Sequence, residues 1–356
     1  MTERVRAALV GAGGFAGGAV VPRLASYANL EYVAVCDPDQ EAARRAAERI
    51  GARVVTADYA QIVSRGDVQM VDLQTPNFLH ADQALAALRA GKHVLVQKPM
   101  ATSLDEAKRM IRAARETGRR LGVFMDDLND PLLWDMKAAL QAGFVGRPVG
   151  FRIRYAHGGG LHMKGASWRT SRKKTGGGSF ILLTVHFVNV LAWLLETRVA
   201  RVAGFAKTLM APMEGDDSAV GALELENGLV GSAESSYLVV HSHSIPQSLV
   251  DVYGTEGSLS YRRAEPELVL YSKTGTFRGE TGIYDAPGAA KVFTTSSDAG
   301  RHPSVHERFA AAVLGRSEPL VTAEAGLHDL AVCLALAESS RTGLAVDLRS
   351  FIGEVA

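Results

Sequence analysis

The chain is short of cysteine, of net charge and of long apolar runs, and each shortage excludes a class of protein. Only Cys36 and Cys333 occur among 356 residues, so a disulfide-stapled secreted module is excluded and a reducing compartment is expected. The 39 Lys and Arg residues balance 38 Asp and Glu residues to a formal charge of +1, which argues against a general polyanion binder. The 47% of apolar residues excludes a disordered chain and favours a globular protein of about two domains.

Targeting and membrane signals are also missing from the sequence. The N-terminal stretch MTERVRAALVGAGG enters an apolar run and a glycine turn at once, without a signal-peptide pattern. The longest apolar run, residues 180–195, is too short for a comfortable membrane span and contains His186 and Asn189. We therefore expect a buried helix there, a cytoplasmic protein, and neither a membrane nor a nucleic acid as partner.

The first 125 residues alternate apolar runs with helix-forming stretches. Strands are predicted near residues 5–10, 32–36, 54–55, 70–73, 93–96 and 121–125, and helices near 41–50, 81–90 and 104–117. Gly51 is expected to end the first of these helices, and Ser103 with Glu106 is expected to form a capping box at the start of the third. This alternation predicts an α/β domain with a parallel, doubly wound sheet.

The pattern changes after about residue 150. Two glycine runs, 158–160 and 176–178, precede the apolar helix, and residues 199–270 have the pattern of strands joined by turns, with Asn227-Gly228 at a hairpin position. Helices are expected near 305–314 and 323–340, and a surface loop over 274–300. The prediction is a dinucleotide-binding Rossmann domain over 1–126 and an α+β substrate and oligomerisation domain over 127–356, whose C-terminal helices can pack back on the first.

A GxGxxA pattern follows the first strand and precedes a helix, which is the arrangement of a dinucleotide turn. It comprises Gly11, Gly13, Gly14, Phe15 and Ala16. Gly11 permits the tight turn, Gly13 lets the backbone approach a pyrophosphate, and Ala16 allows close helix packing. The alternative is a tight turn in an unrelated doubly wound sheet.

Asp37, which ends the second strand, supports the dinucleotide interpretation and bears on which dinucleotide binds. Its carboxylate can accept hydrogen bonds from ribose hydroxyls and would repel a 2′-phosphate. This favours NAD, while Arg44 and Arg45 on the next helix keep NADP as the less favoured alternative.

Lys98 and His186 are the candidate catalytic residues. Lys98 follows the fifth strand, at the edge of the sheet where ligands bind in open parallel sheets, and can polarise a carbonyl or hold a hydroxyl. His186 lies in the apolar helix and can exchange a proton near neutral pH. Position alone leaves two alternatives: a surface lysine, and a core histidine bonded to backbone.

Several segments together resemble the glucose–fructose oxidoreductase, inositol dehydrogenase and MocA family. They are the turn GAGGFA, VAVCD, TPNFLH with Thr75, Pro76, Asn77 and His80, GKHVLVQKPMA with Gln97 and Lys98, the glycine-led helix GGGSFILLTVHFVNVLAWLL, and the C-terminal region from HERF onward. The resemblance implies a Rossmann domain followed by a domain with a large, mostly antiparallel sheet that forms oligomer contacts. It also implies that the TPNFLH and QK segments line the cofactor, and that Lys98 and His186 serve hydride transfer between nicotinamide and a secondary alcohol of a sugar, inositol or related polyol.

The sequence departs from this family pattern at four places. Gln97 replaces the usual glutamate before the lysine, and Leu182 stands where many members have an aspartate one helical turn before the histidine. Asn189 stands where a second acid often occurs. The segment MDDLND places Asp126 and Asp127 where many members have arginine, which makes a nucleotide-sugar or acidic substrate less favoured.

Further substrate contacts are expected from residues around the two glycine runs and at the domain junction. They are Asp126, Tyr155, Trp168, Arg169 and Asn189, beside Lys98 and His186. An aromatic face can stack on a sugar ring and an arginine can hold hydroxyls, although a core tryptophan with a surface arginine explains Trp168 and Arg169 equally well. His241 and His243 would share one face of a strand, but no recognisable ligand set surrounds them and no metal is expected.

Three functions are compatible with these residues. The first is an NAD-dependent dehydrogenase for a sugar, inositol or glycoside, working as a homo-oligomer, with Lys98 polarising the oxygen and His186 as general acid/base. The second keeps NAD bound and recycles it in a lyase or glycoside-cleaving reaction without net redox change, for which the missing acid at Leu182 is the motive. The third is a non-catalytic NAD-sensing protein, against which the presence of both Lys98 and His186 argues.

Overall fold

The structure is a computed structural model that describes residues 3–163, 167–240, 248–263, 267–273, 276–279, 282–285, 291–294 and 302–355. The chain folds into two compact units. The first comprises Met1–Met125, Pro303–Leu327 and Glu354–Ala356, and the second comprises Asp126–His302 and His328–Gly353. His241 and His243 lie outside the described residues.

The first unit is built on a six-stranded sheet in which every pairing is parallel. Its strands are β1 (Val5–Val10), β2 (Leu30–Cys36), β3 (Val54–Thr56), β4 (Met70–Leu73), β5 (His93–Gln97) and β6 (Leu121–Phe124). Their spatial order is β3-β2-β1-β4-β5-β6. The order reverses beside β1, and the gap between β1 and β4 is where a doubly wound sheet binds its ligand.

Five helices connect these strands. They are α1 (Val21–Leu24), preceded by a π-helical turn over Ala16–Val20, α2 (Gln40–Ile50), α3 (Tyr59–Ser64), α4 (Asn77–Arg89) and α5 (Leu104–Thr117). Gly51 ends α2 with φ +75° as expected. The capping box at α5 is only half formed, because Ser103 Oγ accepts from Glu106 N while the Glu106 carboxylate accepts from Thr102 instead.

The second unit contains a nine-stranded sheet, antiparallel at every pairing except β7 with β10. Its order is β16-β13-β12-β11-β7-β10-β9-β8-β17. The strands of this unit are β7 (Pro148–Ala156), β8 (Val199–Lys207), β9 (Ser218–Leu225), β10 (Val230–Ser236), β11 (Leu249–Gly254), β12 (Gly257–Arg262), β13 (Glu267–Ser272), β14 (Thr276–Gly279), β15 (Gly282–Asp285), β16 (Lys291–Thr294) and β17 (Val346–Asp347), of which β14 and β15 pair separately. The expected α/β fold, a Rossmann sheet plus a large and mostly antiparallel sheet, is thus confirmed.

The remaining helices complete both units. They are α6 (Pro131–Gln141), α7 (Arg172–Thr175), α8 (Val185–Leu195), α9 (Val305–Val313), α10 (Ala323–Thr342) and α11 (Leu348–Ile352). Among the described residues one stretch, Arg172–Leu195, is long and apolar enough to cross a membrane, but 83% of its most apolar part is buried inside the protein. Such burial is that of a core helix.

Two expectations about local structure need correction. The apolar run expected as one helix begins with a π-helical turn over Phe180–Thr184 and becomes α-helical only from Val185. The segment 274–300, expected to be a surface loop, contains strands β14, β15 and β16. Each of these strands is only four residues long and lies among glycines and polar residues, so the sequence shows no clear alternation of apolar and polar side chains there.

Candidate active site

The dinucleotide turn has the backbone geometry that the pattern GxGxxA requires. Gly11 has φ +90°, and a Cβ built on it would lie 2.7 Å from the carbonyl oxygen of Gln74, so only glycine fits between β1 and β4. Gly14 also has a positive φ of +46°, and nothing lies within 4 Å of the Cβ position. Ala16 is buried and Phe15 is 41% exposed. The turn thus leaves open space at Gly14, at the start of a helical segment whose N–H groups can receive an anion.

Asp37 is tied into this turn. Its Oδ2 accepts a hydrogen bond from Ala12 N at 2.7 Å and its Oδ1 accepts one from Asp39 N at 2.8 Å. Two backbone donors therefore fix the orientation of the carboxylate at the end of β2, next to the glycine turn. A carboxylate held there can receive ribose hydroxyls and opposes a phosphate.

The segment after β4 is held by His80. Its Nδ1 lies 2.8 Å from the carbonyl oxygen of Pro99 and its Nε2 lies 2.7 Å from that of Thr75. Burial lowers the pKa of this imidazole. The ring therefore joins the loop after β4 to the loop after β5. Pro76 occupies the N-cap position of α4 without a side-chain capping bond, and Asn77, the first residue of the helix, is buried.

Gln97 organises the backbone around Lys98. Its Nε2 donates to Gln74 Oε1 at 3.1 Å, and its Oε1 accepts from Lys98 N at 2.8 Å. The amide thus connects the ends of β4 and β5 and holds the backbone of Lys98, whose side chain is partly buried. A glutamate could accept from Lys98 N but could not donate to Gln74, so this departure has a local structural reason.

His186, near the start of α8, pairs with Asp127, an acid that is not among the predicted site residues. Its Nδ1 is hydrogen-bonded to Asp127 Oδ2 and lies 3.5 Å from Asp126 Oδ1. Asp126 and Asp127 belong to a 3₁₀ turn over Asp126–Asn129 that follows β6. His186 is 5% exposed and the Asp127 side chain is fully buried. His186 is therefore a buried histidine whose Nδ1 bonds a carboxylate, a contact that the alternative of a core histidine bonded to backbone does not include.

Arg263, which is not among the predicted site residues, completes the cluster. Its Nε donates to Asp127 Oδ1 at 2.6 Å and its Nη2 to Asp126 Oδ2 at 3.3 Å. The guanidinium carbon lies 5.1 Å from the ring centroid of Tyr155, and the Tyr155 ring lies 5.2 Å from that of His186. Arg263 follows β12 in an ordinary-looking Arg-Arg pair, so no local signal distinguishes it from a surface residue.

The other expected substrate residues lie in different surroundings. Asn189 is 4% exposed and its Nδ2 donates to Asp329 Oδ2 at 2.7 Å. Trp168 is partly exposed, and the guanidinium of the exposed Arg169 lies 5.3 Å from its ring centroid. Tyr155 is thus close to His186, whereas the amide nitrogen of Asn189 is bound to Asp329. Lys98 belongs to the first unit and His186 to the second, so their meeting at a dinucleotide stays a prediction.

One carboxylate oxygen each of Asp126 and Asp127 and one ring nitrogen of His186 lie within 4.8 Å of one another, a spacing that a metal ion could bridge. However, one oxygen of each carboxylate already accepts a hydrogen bond from Arg263. Among the described residues, the guanidinium of Arg263 therefore supplies a positive charge beside these two carboxylates.

Comparison with known proteins identifies the family. A model of an oxidoreductase family with an NAD-binding Rossmann fold matches residues 5–125, and a model of the C-terminal alpha/beta domain of that family matches residues 137–348. The chain belongs to the glucose–fructose oxidoreductase, inositol dehydrogenase and MocA family. The resemblance inferred from the motifs is confirmed, and the chain is an oxidoreductase with an NAD-binding Rossmann domain.

Individual relatives span nearly all of this family member. It is 31% identical over 303 residues to 1,5-anhydro-D-fructose reductase of Ensifer adhaerens, covering 85% of each chain. It is 27% identical to scyllo-inositol 2-dehydrogenase (NAD+) of Bacillus subtilis strain 168, covering 98% of this chain and 97% of the relative. The fold is that of levoglucosan dehydrogenase in its complex with NADH and levoglucosan, with a TM-score of 0.84 at 21% identity over 98% of this chain and 100% of the other.

Proposed function

We propose that this protein is an NAD-dependent dehydrogenase that oxidises a secondary alcohol of a neutral sugar, inositol or glycoside, or reduces the corresponding ketone. The observation that carries the proposal is the pairing of His186 Nδ1 with the buried carboxylate of Asp127, in a member of an NAD-binding oxidoreductase family. Its relatives include a reductase of 1,5-anhydro-D-fructose and a dehydrogenase of scyllo-inositol. The protein would work in the cytoplasm as a homo-oligomer.

Each candidate residue has one task in this proposal. Lys98 polarises the reacting oxygen, and His186 takes the proton of the hydroxyl in oxidation and returns it in reduction. Gly11, Gly13, Gly14 and Asp37 hold the dinucleotide, which supplies hydride transfer when bound. The Asp37 carboxylate is held beside the glycine turn, where it would repel a 2′-phosphate, and this supports NAD over NADP.

The charge around His186 supports a neutral substrate. Asp126 and Asp127 bring two carboxylates to the imidazole, and Arg263 offsets one of them. A uronate or nucleotide sugar would place further negative charge beside this cluster, whereas hydroxyl groups can donate hydrogen bonds to it. The motive for a non-redox reaction, the missing acid at Leu182, is weakened because Asp127 supplies a carboxylate from elsewhere.

A substrate panel with two active-site variants tests the proposal. Purified protein is incubated with NAD or NADP and a set of inositols, aldoses, anhydro sugars and uronates, and NADH formation is followed by absorbance. We expect turnover with at least one neutral polyol and a preference for NAD. Lys98→Met and His186→Ala should each reduce turnover by about 10²-fold or more while calorimetry shows NAD binding within about threefold of wild type.

Lys108→Met, on α5, is the matched control and should leave turnover unchanged. Wild-type turnover in either active-site variant on the true substrate would show that the residue has no catalytic role. Product formation without accumulation of NADH would instead favour a reaction that recycles bound NAD.

A further inference from the structure

The family position for an acid beside the catalytic histidine is occupied by an apolar side chain here. Leu182 is buried at 7% exposure and lies in the π-helical turn before α8. A carboxylate nevertheless reaches His186 Nδ1, and it comes from Asp127, 59 positions earlier in the chain. The residue in contact with the imidazole is therefore supplied by the 3₁₀ turn after β6 rather than by the helix itself.

Both carboxylate oxygens of Asp127 are engaged. Oδ2 is bonded to His186 Nδ1, and Oδ1 accepts from Arg263 Nε at 2.6 Å. The same guanidinium also bonds Asp126, so one arginine holds both acids of the turn. Because the Asp127 side chain is fully buried and held at both oxygens, it cannot rotate away from the imidazole without breaking a charged hydrogen bond.

The charges that face His186 favour a protonated imidazole. The 3₁₀ turn contributes Asp126 and Asp127, β7 contributes Tyr155, and Arg263 follows β12. The preceding turn over Phe180–Thr184 contains no titratable side chain. Asp130, at the start of α6, accepts a hydrogen bond from the hydroxyl of Tyr261. Two carboxylates and one guanidinium leave one negative charge, which an imidazolium would balance.

Asp127 keeps its charge over the working pH range. Burial alone would raise the pKa of Asp127, but the charges of His186 and Arg263 and their hydrogen bonds outweigh it and hold this pKa well below the usual range. The partner of the imidazole is thus a carboxylate and not a neutral acid, and it can only accept a hydrogen bond from Nδ1–H.

We propose that Asp127, clamped by Arg263, is the positioning residue of His186 and takes the place of the acid absent at Leu182. The carboxylate holds the proton of the imidazole on Nδ1, so the lone pair lies on Nε2, the nitrogen that exchanges the substrate proton. When the hydroxyl O–H bond breaks, its proton passes to Nε2, and the resulting imidazolium is stabilised by Asp127. This assignment rests on the proposed function of His186 as general acid/base.

The wild-type protein alone provides the first test, without any substrate. With ¹⁵N-labelled histidine, and with the signals of His186 assigned by their loss in His186→Ala, NMR reports both the tautomer and the titration of this imidazole. We expect the Nδ1–H tautomer at high pH and a midpoint above that of an unperturbed histidine. An Nε2–H tautomer, or a midpoint at or below the unperturbed value, would overturn the assignment whether or not a substrate has been found.

Two variants with opposite expected shifts provide the second test. Asp127→Asn removes the negative partner, so the NMR midpoint of His186 and the acid limb of kcat/KM for oxidation should move down by on the order of one pH unit. Arg263→Gln leaves two carboxylates uncompensated, so both quantities should move up. Activity at the optimum should fall about 10²-fold or more in Asp127→Asn.

Asp130→Asn is the matched control, since it makes the same acid-to-amide change three residues away and retains a side chain able to cap α6 and to accept from Tyr261. Its pH profile should match that of wild type. Two results would assign Asp127 a merely structural role. One is a loss of activity in Asp127→Asn while the acid limb of kcat/KM stays where it is in wild type. The other is a shift of the His186 midpoint in the same direction in Asp127→Asn and Arg263→Gln. Should either variant fail to fold, the wild-type NMR measurement still decides the question. Absence of turnover on every polyol, with the expected NMR result, would count against the proposed function and leave the pairing standing.

Discussion

Asn189 and Asp329 form a buried amide–carboxyl pair between α8 and α10, with Asn189 Nδ2 donating to Asp329 Oδ2 over 2.7 Å. Asn189 is 4% and Asp329 2% exposed. Burial raises the pKa of Asp329 to about 7, with Asn189 and Arg198 opposing the shift. Asn189 lies about one helical turn beyond His186 on α8.

The first prediction concerns the pH dependence of stability. The pKa of Asp329 is raised in the folded state, so between about pH 4, where the unfolded chain loses this proton, and pH 7 the folded state binds more protons. The contribution of Asp329 to the free energy of unfolding is therefore fully present below the pKa of the unfolded chain, and it is lost as the pH rises toward 7. We expect Asp329→Asn to be closer to wild type at pH 5 and relatively more stable at pH 8.

Urea unfolding of both proteins at pH 5, 6.5 and 8 measures this effect. Asp347→Asn, at an exposed helix start, serves as the control that should not relieve a loss of stability at high pH. A constant difference in unfolding free energy between Asp329→Asn and wild type across the pH range would contradict the prediction.

The second prediction concerns the glycine turn. Gly11→Ala should strain a backbone at φ +90° and bring Cβ against Gln74 O, which costs at least about 1–2 kcal/mol for the backbone alone. Because the backbone of the turn must shift to make room for the Cβ, NAD affinity should fall about tenfold or more, as measured by calorimetry. Gly18→Ala is the matched control, because nothing lies within 4 Å of its Cβ position and its φ is ordinary. Equal NAD affinities in the two variants would show that the geometry of Gly11 does not matter for binding.

The third prediction concerns His80. Replacement by Asn shortens the side chain, which then cannot reach the carbonyl oxygens of both Thr75 and Pro99. The neutral imidazole donates to one of these carbonyls, and a buried carbonyl that loses its donor costs about 1–3 kcal/mol, so His80→Asn should unfold at lower urea concentration and bind NAD more weakly. Asp82→Asn, an exposed position on the same helix, should change neither. Wild-type stability in His80→Asn would mean that solvent replaces the imidazole without cost.

Local pattern sufficed to predict the architecture of the first unit. The strands of the parallel sheet are short apolar runs, and Gly51 and the GxGxxA turn mark where the chain must change direction, so the fold class was predicted from neighbouring residues alone. Asn227-Gly228 likewise lies between β9 and β10, with Gly228 at φ +83°. Such features depend on residues a few positions apart, which is why the sequence contains them explicitly.

The surroundings of His186 could not be predicted in the same way. The pairing with Asp127 joins residues 59 positions apart, and Arg263 lies 136 positions from Asp127. The family resemblance pointed to Leu182, one helical turn before the histidine, as the position of an acid, but the turn over Phe180–Thr184 is π-helical and the acid comes from another element. The departure of MDDLND from the family pattern marks the segment that contains Asp127, but nothing in the sequence indicates that this segment contacts His186.

Asp72, buried in β4, accepts hydrogen bonds from Tyr32 and from Gln74, and it is paired at 3.0 Å with His306, which lies 234 positions later in the chain. A ribosome therefore completes the six strands of the first sheet long before it has made the imidazole that covers this carboxylate. Until α9 has been synthesised, the nascent Rossmann domain contains a buried acid without its histidine partner. We expect hydrogen exchange on stalled chains to show that the amides of the sheet are less protected in a chain that ends before α9 than in one that extends past residue 327.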